Sequence, residues 1–101
     1  MNQMCKKFVG ASKLLSKPWV GLIIFQLLQS PKRFSELETG LEISAKVLSE
    51  KLRGLEKEGI VNRKVFPTMP IKVEYTLTKK GYDLKPVMTA IEDWSQHYMK
   101  E

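Results

Sequence analysis

The chain has 101 residues, 43% of them hydrophobic, with one cysteine and one histidine. That supports one small domain with a modest core and little stability to spare, and it excludes an internal disulfide and any zinc framework. A net charge of +6 points to a polyanionic partner, either nucleic acid or an anionic membrane surface.

The charge is uneven. Residues 1–40 hold six Lys/Arg against two acids, residues 41–66 six against four, and residues 67–101 five of each. Met4, Phe8, Ala11 and Leu15 recur at helical spacing and predict a first amphipathic helix over residues 4–15. Lys17-Pro18 ends it, and Pro18 suits the first turn of a second helix running through Leu28. The run Val20–Leu28 is apolar nearly all round and so belongs to the core. It is half the length of a membrane span and is interrupted by Gln26, so no membrane partner is expected. Ser30-Pro31 breaks that helix, and Phe34–Gly40 forms a short third one stopped by Gly40. The N-terminus has no apolar segment with a cleavage site, so a cytoplasmic location is expected.

Residues 43–59 carry two helical periodicities at once. Leu48, Leu52 and Leu55 fall on one face, while Lys46, Glu50, Arg53 and Lys57 fall on the other. Ser44 suits the N-cap and Gly59 the position just past the end. Such a helix is roughly 22 Å long, enough to lie in a DNA major groove while its leucines anchor it. Taken alone it reads more readily as an ordinary surface helix with solvated charges and a Lys46–Glu50 pair.

After Gly59 the residues become β-branched or aromatic in short runs: Ile60, Val61, Val65 and Phe66, then Val73, Tyr75 and Leu77. Pro67 and Pro70 interrupt them, which predicts a hairpin. Thr78–Gly81 punctuates the chain. A last helix carries Leu84, Val87, Met88, Ile91, Trp94 and Tyr98 on one side, with Pro86 in its first turn or at a kink, according to whether Asp83 or Thr78 is the cap.

A short helix joined tightly to a long basic one, followed by a hairpin, is the layout of a winged helix-turn-helix: mainly α, with a β-hairpin wing, in one domain over residues 1–101. DNA binding follows from layout and charge together. Lys46, Ser49, Glu50 and Arg53 face away from the leucines. Ser44 and Ala45 sit at the helix tip, where small side chains let amides approach phosphate. Arg53 can read guanine bidentately, and Lys46 serves base or phosphate equally well. Glu50 either accepts from a cytosine amine or orients a neighbouring cation. Lys32 and Arg33 before the short helix, and Lys64 and Lys72 on the hairpin, are phosphate candidates or simply solvated cations.

Cys5 is the candidate for reactive chemistry. It lies at the start of the first helix beside Lys6 and Lys7, all of which favour the nucleophilic thiolate. The residues alone leave it open between a sensing thiol and an inert one. No cofactor or metal is called for, and no general base accompanies the thiol, which weakens the reading of a thiol enzyme. A winged helix used for protein interaction remains a further alternative.

Pro31-x-Arg33-Phe34-x-x-Leu37, Ile43-Ser44-x-Lys46-x-Leu48 with Leu52, Leu55 and Gly59, Val73-Glu74-Tyr75-x-Leu77-Thr78-x-x-Gly81 and Trp94 together resemble the HxlR-type, MarR-related winged-helix regulators of bacteria. Met4-Cys5-x-Lys7 with Lys17-Pro-Trp-x-Gly-Leu-Ile-Ile24 is similar to their thiol-based branch, the quinone- and diamide-sensing repressors. Pro18 departs from that pattern, as does the lack of a second cysteine near the C-terminus. The resemblance implies a homodimer held by the first and last helices and bound to an inverted-repeat operator. It also implies repression of detoxification genes until a quinone, another electrophile or an oxidant modifies Cys5. An aromatic adduct is expected to wedge against Phe8, Trp19 or residues of the last helix.

Overall fold

The computed structural model describes residues 3–101, with side chains from Cys5 onward; the side chain of Met4, expected on the first apolar stripe, lies outside the described residues. The elements follow in the order α1 (Gln3–Ser16), α2 (Val20–Gln29), β1 (Lys32–Arg33), α3 (Phe34–Leu41), α4 (Ala45–Lys57), β2 (Val61–Phe66), β3 (Lys72–Leu77), α5 (Lys79–Tyr82) and α6 (Lys85–Tyr98). α2 supplies the centre of the core through Val20, Ile23, Ile24 and Leu27. Around them close Leu37 and Ile43, the α4 leucines, Ile60, Val61, Tyr75, Leu77 and Met88. No single helix among the described residues is long and apolar enough to cross a membrane.

Pro18 lies outside α2, contrary to expectation. The backbone of Trp19 is left-handed, with φ 71° and ψ −17°, and the Val20 amide donates to the Lys17 carbonyl at 3.2 Å. Those are the marks of a type II turn with proline at its second position, where its fixed φ is wanted. The third position ordinarily takes glycine. Trp19 accepts it because its ring packs against the core, which offsets the cost of left-handed backbone.

The third helix also ends differently. Gly40 is inside α3, and the left-handed residue is Glu42, at φ 54°, whose amide donates to the Glu38 carbonyl. A Cβ on Gly40 would meet nothing within 4 Å, so the backbone makes no demand for glycine there. The helix runs one residue further because Leu41 packs against the core.

α4 has the expected ends. Ser44 Oγ accepts from the Val47 amide at 3.2 Å. At the other end Gly59 has φ 73°, its amide donates to the Glu56 carbonyl, and the Ile60 amide donates to Leu55. This paired closure, with Ile60 and Leu55 buried together, is a Schellman motif.

The wing has three strands in the order β1-β3-β2, all antiparallel. β1 is an addition to the expected hairpin: Lys32 lies opposite Tyr75, and Arg33 opposite Glu74. Thr78 caps α5, accepting from the Gly81 amide at 3.1 Å and donating to the Gly59 carbonyl. α6 begins separately, with Pro86 in its first turn. Thus Pro86 causes no kink, and neither expected residue caps α6, which follows Leu84 with no side-chain cap bond. A Cβ on Gly81 would stand 2.5 Å from the Ile60 carbonyl oxygen, so α5 closes on the wing only with glycine there.

Candidate nucleic-acid interface and sensor thiol

α3, the turn through Glu42 and Ile43, and α4 form the helix-turn-helix. Burial of Leu48, Leu52 and Leu55 at 1% exposure or less fixes the rotation of α4. The opposite face, Lys46, Glu50, Arg53 and Lys57, is therefore in solvent. Ala45 is exposed at the tip, and the hydroxyl of Ser44 is committed to the cap. Ser49 is half-buried on the flank and accepts a hydrogen bond from Arg53 Nη1 at 3.1 Å. That contact holds the guanidinium along the helix surface. Lys46 and Glu50 do not pair: among the described residues the ion pairs are Lys72–Glu74 and Lys79–Asp83. Glu50 instead borders a concavity shared with Leu14, Lys17 and Lys57.

The structure separates the remaining phosphate candidates. Lys32 and Arg33 are neighbours in sequence but point to opposite faces of β1, as alternation requires. Lys32 is half-buried and lines a hollow with Gln26, Ser35 and Glu36. Arg33 is exposed beside Glu74, and its amide donates to Glu36 Oε1 at 2.8 Å. Lys64 is exposed on β2. Lys72 lies across the Phe66 ring, 5.2 Å from its centroid, and its Nζ is 3.2 Å from Glu74 Oε2.

Two residues absent from the sequence-based candidates stand beside these. Arg63 is exposed on the wing, and Glu74 lies across the strands from both Arg33 and Lys64. A count of basic residues reaches Arg63, whereas Glu74 requires the strand register.

Cys5 is the third residue of α1 and is exposed, as are Lys6 and Lys7. Phe8, one turn on, is 73% exposed. Trp19 is at the other end of α1, about 16 Å or more away along the axis, so one chain does not bring it to the thiol. α6 presents Val87, Ile91, Trp94 and Tyr98 to solvent at 40% to 70% exposure. Between α2 and α6 runs an apolar groove lined by Leu22, Phe25, Met88 and Ile91. His97 is exposed, with Nδ1 3.2 Å from the Asp93 carbonyl. No group of three or more potential ligands that could hold a metal occurs among the described residues.

A family model described as HxlR-like helix-turn-helix matches residues 14–101. The chain is 48% identical over 102 residues to the uncharacterized HTH-type transcriptional regulator YvaP of Bacillus subtilis (strain 168), covering 98% of this chain and 94% of that one. It is 47% identical over 98 residues to the HTH-type transcriptional regulator YodB of the same organism, covering 96% and 88%. The reduced form of YodB superposes with a TM-score of 0.84 at 42% identity, covering 99% and 96%, and its quinone-bound form at 0.80 and 40%, covering 93% and 100%. The redox regulator HypR in its oxidized form superposes with a TM-score of 0.86 at 29% identity, covering 94% and 99%.

Proposed function

Because this chain belongs to the HxlR-like helix-turn-helix family and is a DNA-binding transcriptional regulator of the MarR-related winged-helix type, we propose that it is a homodimeric repressor. In this reading modification of Cys5 by a quinone or another electrophile releases it from an inverted-repeat operator. Its role is DNA binding rather than catalysis, exercised in the cytoplasm. The observation that carries the reading is an exposed thiol on α1 one turn from an uncovered Phe8, in a chain whose α6 also leaves a row of apolar side chains uncovered. Uncovered apolar faces of this kind mark association surfaces, and a second copy covering them brings each thiol close to the seam. The quinone-bound form of YodB and the oxidized form of HypR support this kind of effector.

A symmetric dimer presents two copies of α4 to successive major grooves, about 10 base pairs apart. Lys46 and Arg53 meet bases or phosphates there, Ser44 and Ala45 bring the helix tip to the backbone, and Arg33 and Lys64 meet flanking phosphates. Lys72 contributes only once drawn from Glu74 and the Phe66 ring, and Lys32 only by reaching out of its half-buried hollow. In the sensing step the Cys5 sulfur adds to a ring carbon of the quinone, the thiol proton passes to one ring oxygen and the proton of the attacked carbon to the other, leaving a hydroquinone thioether. The added ring occupies volume that packed side chains tolerate poorly. A 100-fold loss of operator affinity requires about 2.8 kcal/mol of differential stabilisation between the two dimer arrangements.

The test is a mobility shift on the DNA upstream of the protein's own coding sequence, with and without a quinone, for the natural chain and Cys5→Ser. Release of the natural chain alone is expected. Release of both proteins would remove Cys5 from the mechanism, and no shifted band at any salt concentration would remove the operator.

A further inference from the structure

The outer face of the wing carries a row of charges that the register sets side by side. Glu74 lies opposite Arg33 on β1 and opposite Lys64 on β2. Directly opposed residues of an antiparallel pair project to the same side, with Cβ atoms about 5 Å apart. Lys72, two residues earlier on β3, shares that face. Its ammonium reaches Glu74 Oε2 at 3.2 Å while resting over the Phe66 ring, and Phe66 is its own cross-strand partner. Three cations therefore share a face with one carboxylate, and Lys72 is the one paired with it. The two partners of the ion pair keep 35% and 23% side-chain exposure, so water screens them less than it would a fully exposed pair.

From this arrangement we infer that Glu74 is a positioning residue that restrains DNA binding: it withholds Lys72 from the phosphate backbone and offsets the charge of Arg33 and Lys64. The inference rests on the DNA-binding activity and not on the thiol chemistry. Sequence-independent affinity comes almost wholly from cations neutralising phosphates. A carboxylate among the wing's cations lowers that term directly, while the face of α4 that reads bases lies on another element. Phe66 adds to the restraint by giving the lysine a second favourable contact on the sheet. Occupancy of arbitrary DNA thereby falls without any change in the reading helix.

The experiment measures binding to a fluorescent duplex of arbitrary sequence across a salt series, using the natural chain, Glu74→Gln, Lys72→Gln and the double variant. Glu74→Gln is expected to tighten binding about two- to fivefold at low salt. It should also steepen the log–log salt dependence by about 0.9 per protomer, the signature of one more neutralised phosphate. Lys72→Gln alone is expected to change the slope little, since that lysine is already withheld. In the double variant most of the Glu74→Gln effect should vanish.

An unchanged slope in Glu74→Gln overturns the inference. So does an equal tightening with and without Lys72, which would reduce Glu74 to a bulk charge. Should Glu74→Gln fail to fold, Lys72→Gln decides the matter, because a slope shallower by the full 0.9 would show that Lys72 already contacts phosphate in the natural chain. Absence of duplex binding by the natural chain would instead refute the DNA-binding reading itself.

Discussion

Leu48, Leu52 and Leu55 on α4 are exposed by 1% or less, whereas Val87, Ile91, Trp94 and Tyr98 on α6, spaced with the same helical regularity, remain 40% to 70% exposed. Both stripes have the 3.6-residue period of an amphipathic helix. On α4 the stripe is covered by the chain's own α2, Leu37 and wing, and both helix ends are closed by hydrogen bonds. On α6 only Met88 reaches the core, and Leu84, just ahead of the helix, packs at its edge. Periodicity thus shows that a helix has something to bury, while the molecule that buries it is decided by tertiary arrangement. The helix proposed to read DNA is supported within one chain, and the face proposed to pair with a second copy is left open.

The contrast is broken most severely at Leu52. Leu52→Ala should cost about 2–5 kcal/mol of folding stability, the range for emptying a buried leucine site. For a domain of this size that is a large part of the total. Urea denaturation should show an earlier midpoint with the slope preserved. Because the lost contacts lie within one chain, the cost should be the same at low and high protein concentration.

Ile91→Glu tests the other side. At 54% exposure Ile91 has little to lose inside its own chain, so unfolding of the dilute, dissociated protein should move by no more than about 0.5 kcal/mol. Sedimentation should nevertheless show a monomer for Ile91→Glu and the proposed dimer for the natural chain. The thermal midpoint should rise with concentration for the natural chain and be independent of it for Ile91→Glu. An Ile91→Glu chain destabilised well beyond that amount even when dilute would place this face in the monomer core and end the comparison.

The same distinction governs how much could be read from residues alone. The ends of α4 were legible because Ser44 and Gly59 act locally, through one hydroxyl and one positive φ. The turn into α2 was not, since a tryptophan in left-handed backbone holds only when distant groups pack against its ring. β1 escaped because two residues carry no periodicity, and its pairing depends on where β3 arrives. Lys32 and Arg33 were one basic pair in the sequence and became one half-buried and one exposed residue once that strand formed. Thr78 and Asp83 competed as caps for a single last helix, while the chain breaks there into α5 and α6.

The smallest effect separates holding the reading helix from using it. Ser44 Oγ accepts from the Val47 amide at 3.2 Å, so Ser44→Ala should cost about 1 kcal/mol by leaving that amide without its side-chain acceptor. Ser44→Asp keeps an acceptor in place and adds a favourable charge at the positive end of the helix. It should match or slightly exceed the natural chain in a thermal melt. Yet the same carboxylate stands at the exposed tip proposed to approach phosphate, where like charges repel and the amides of Ala45 and Lys46 are kept from the backbone. Operator binding is therefore expected to fall in Ser44→Asp by more than in Ser44→Ala, reversing the order of the two variants in stability. If binding instead followed stability, with the aspartate variant the stronger, the tip of α4 would not face the DNA backbone.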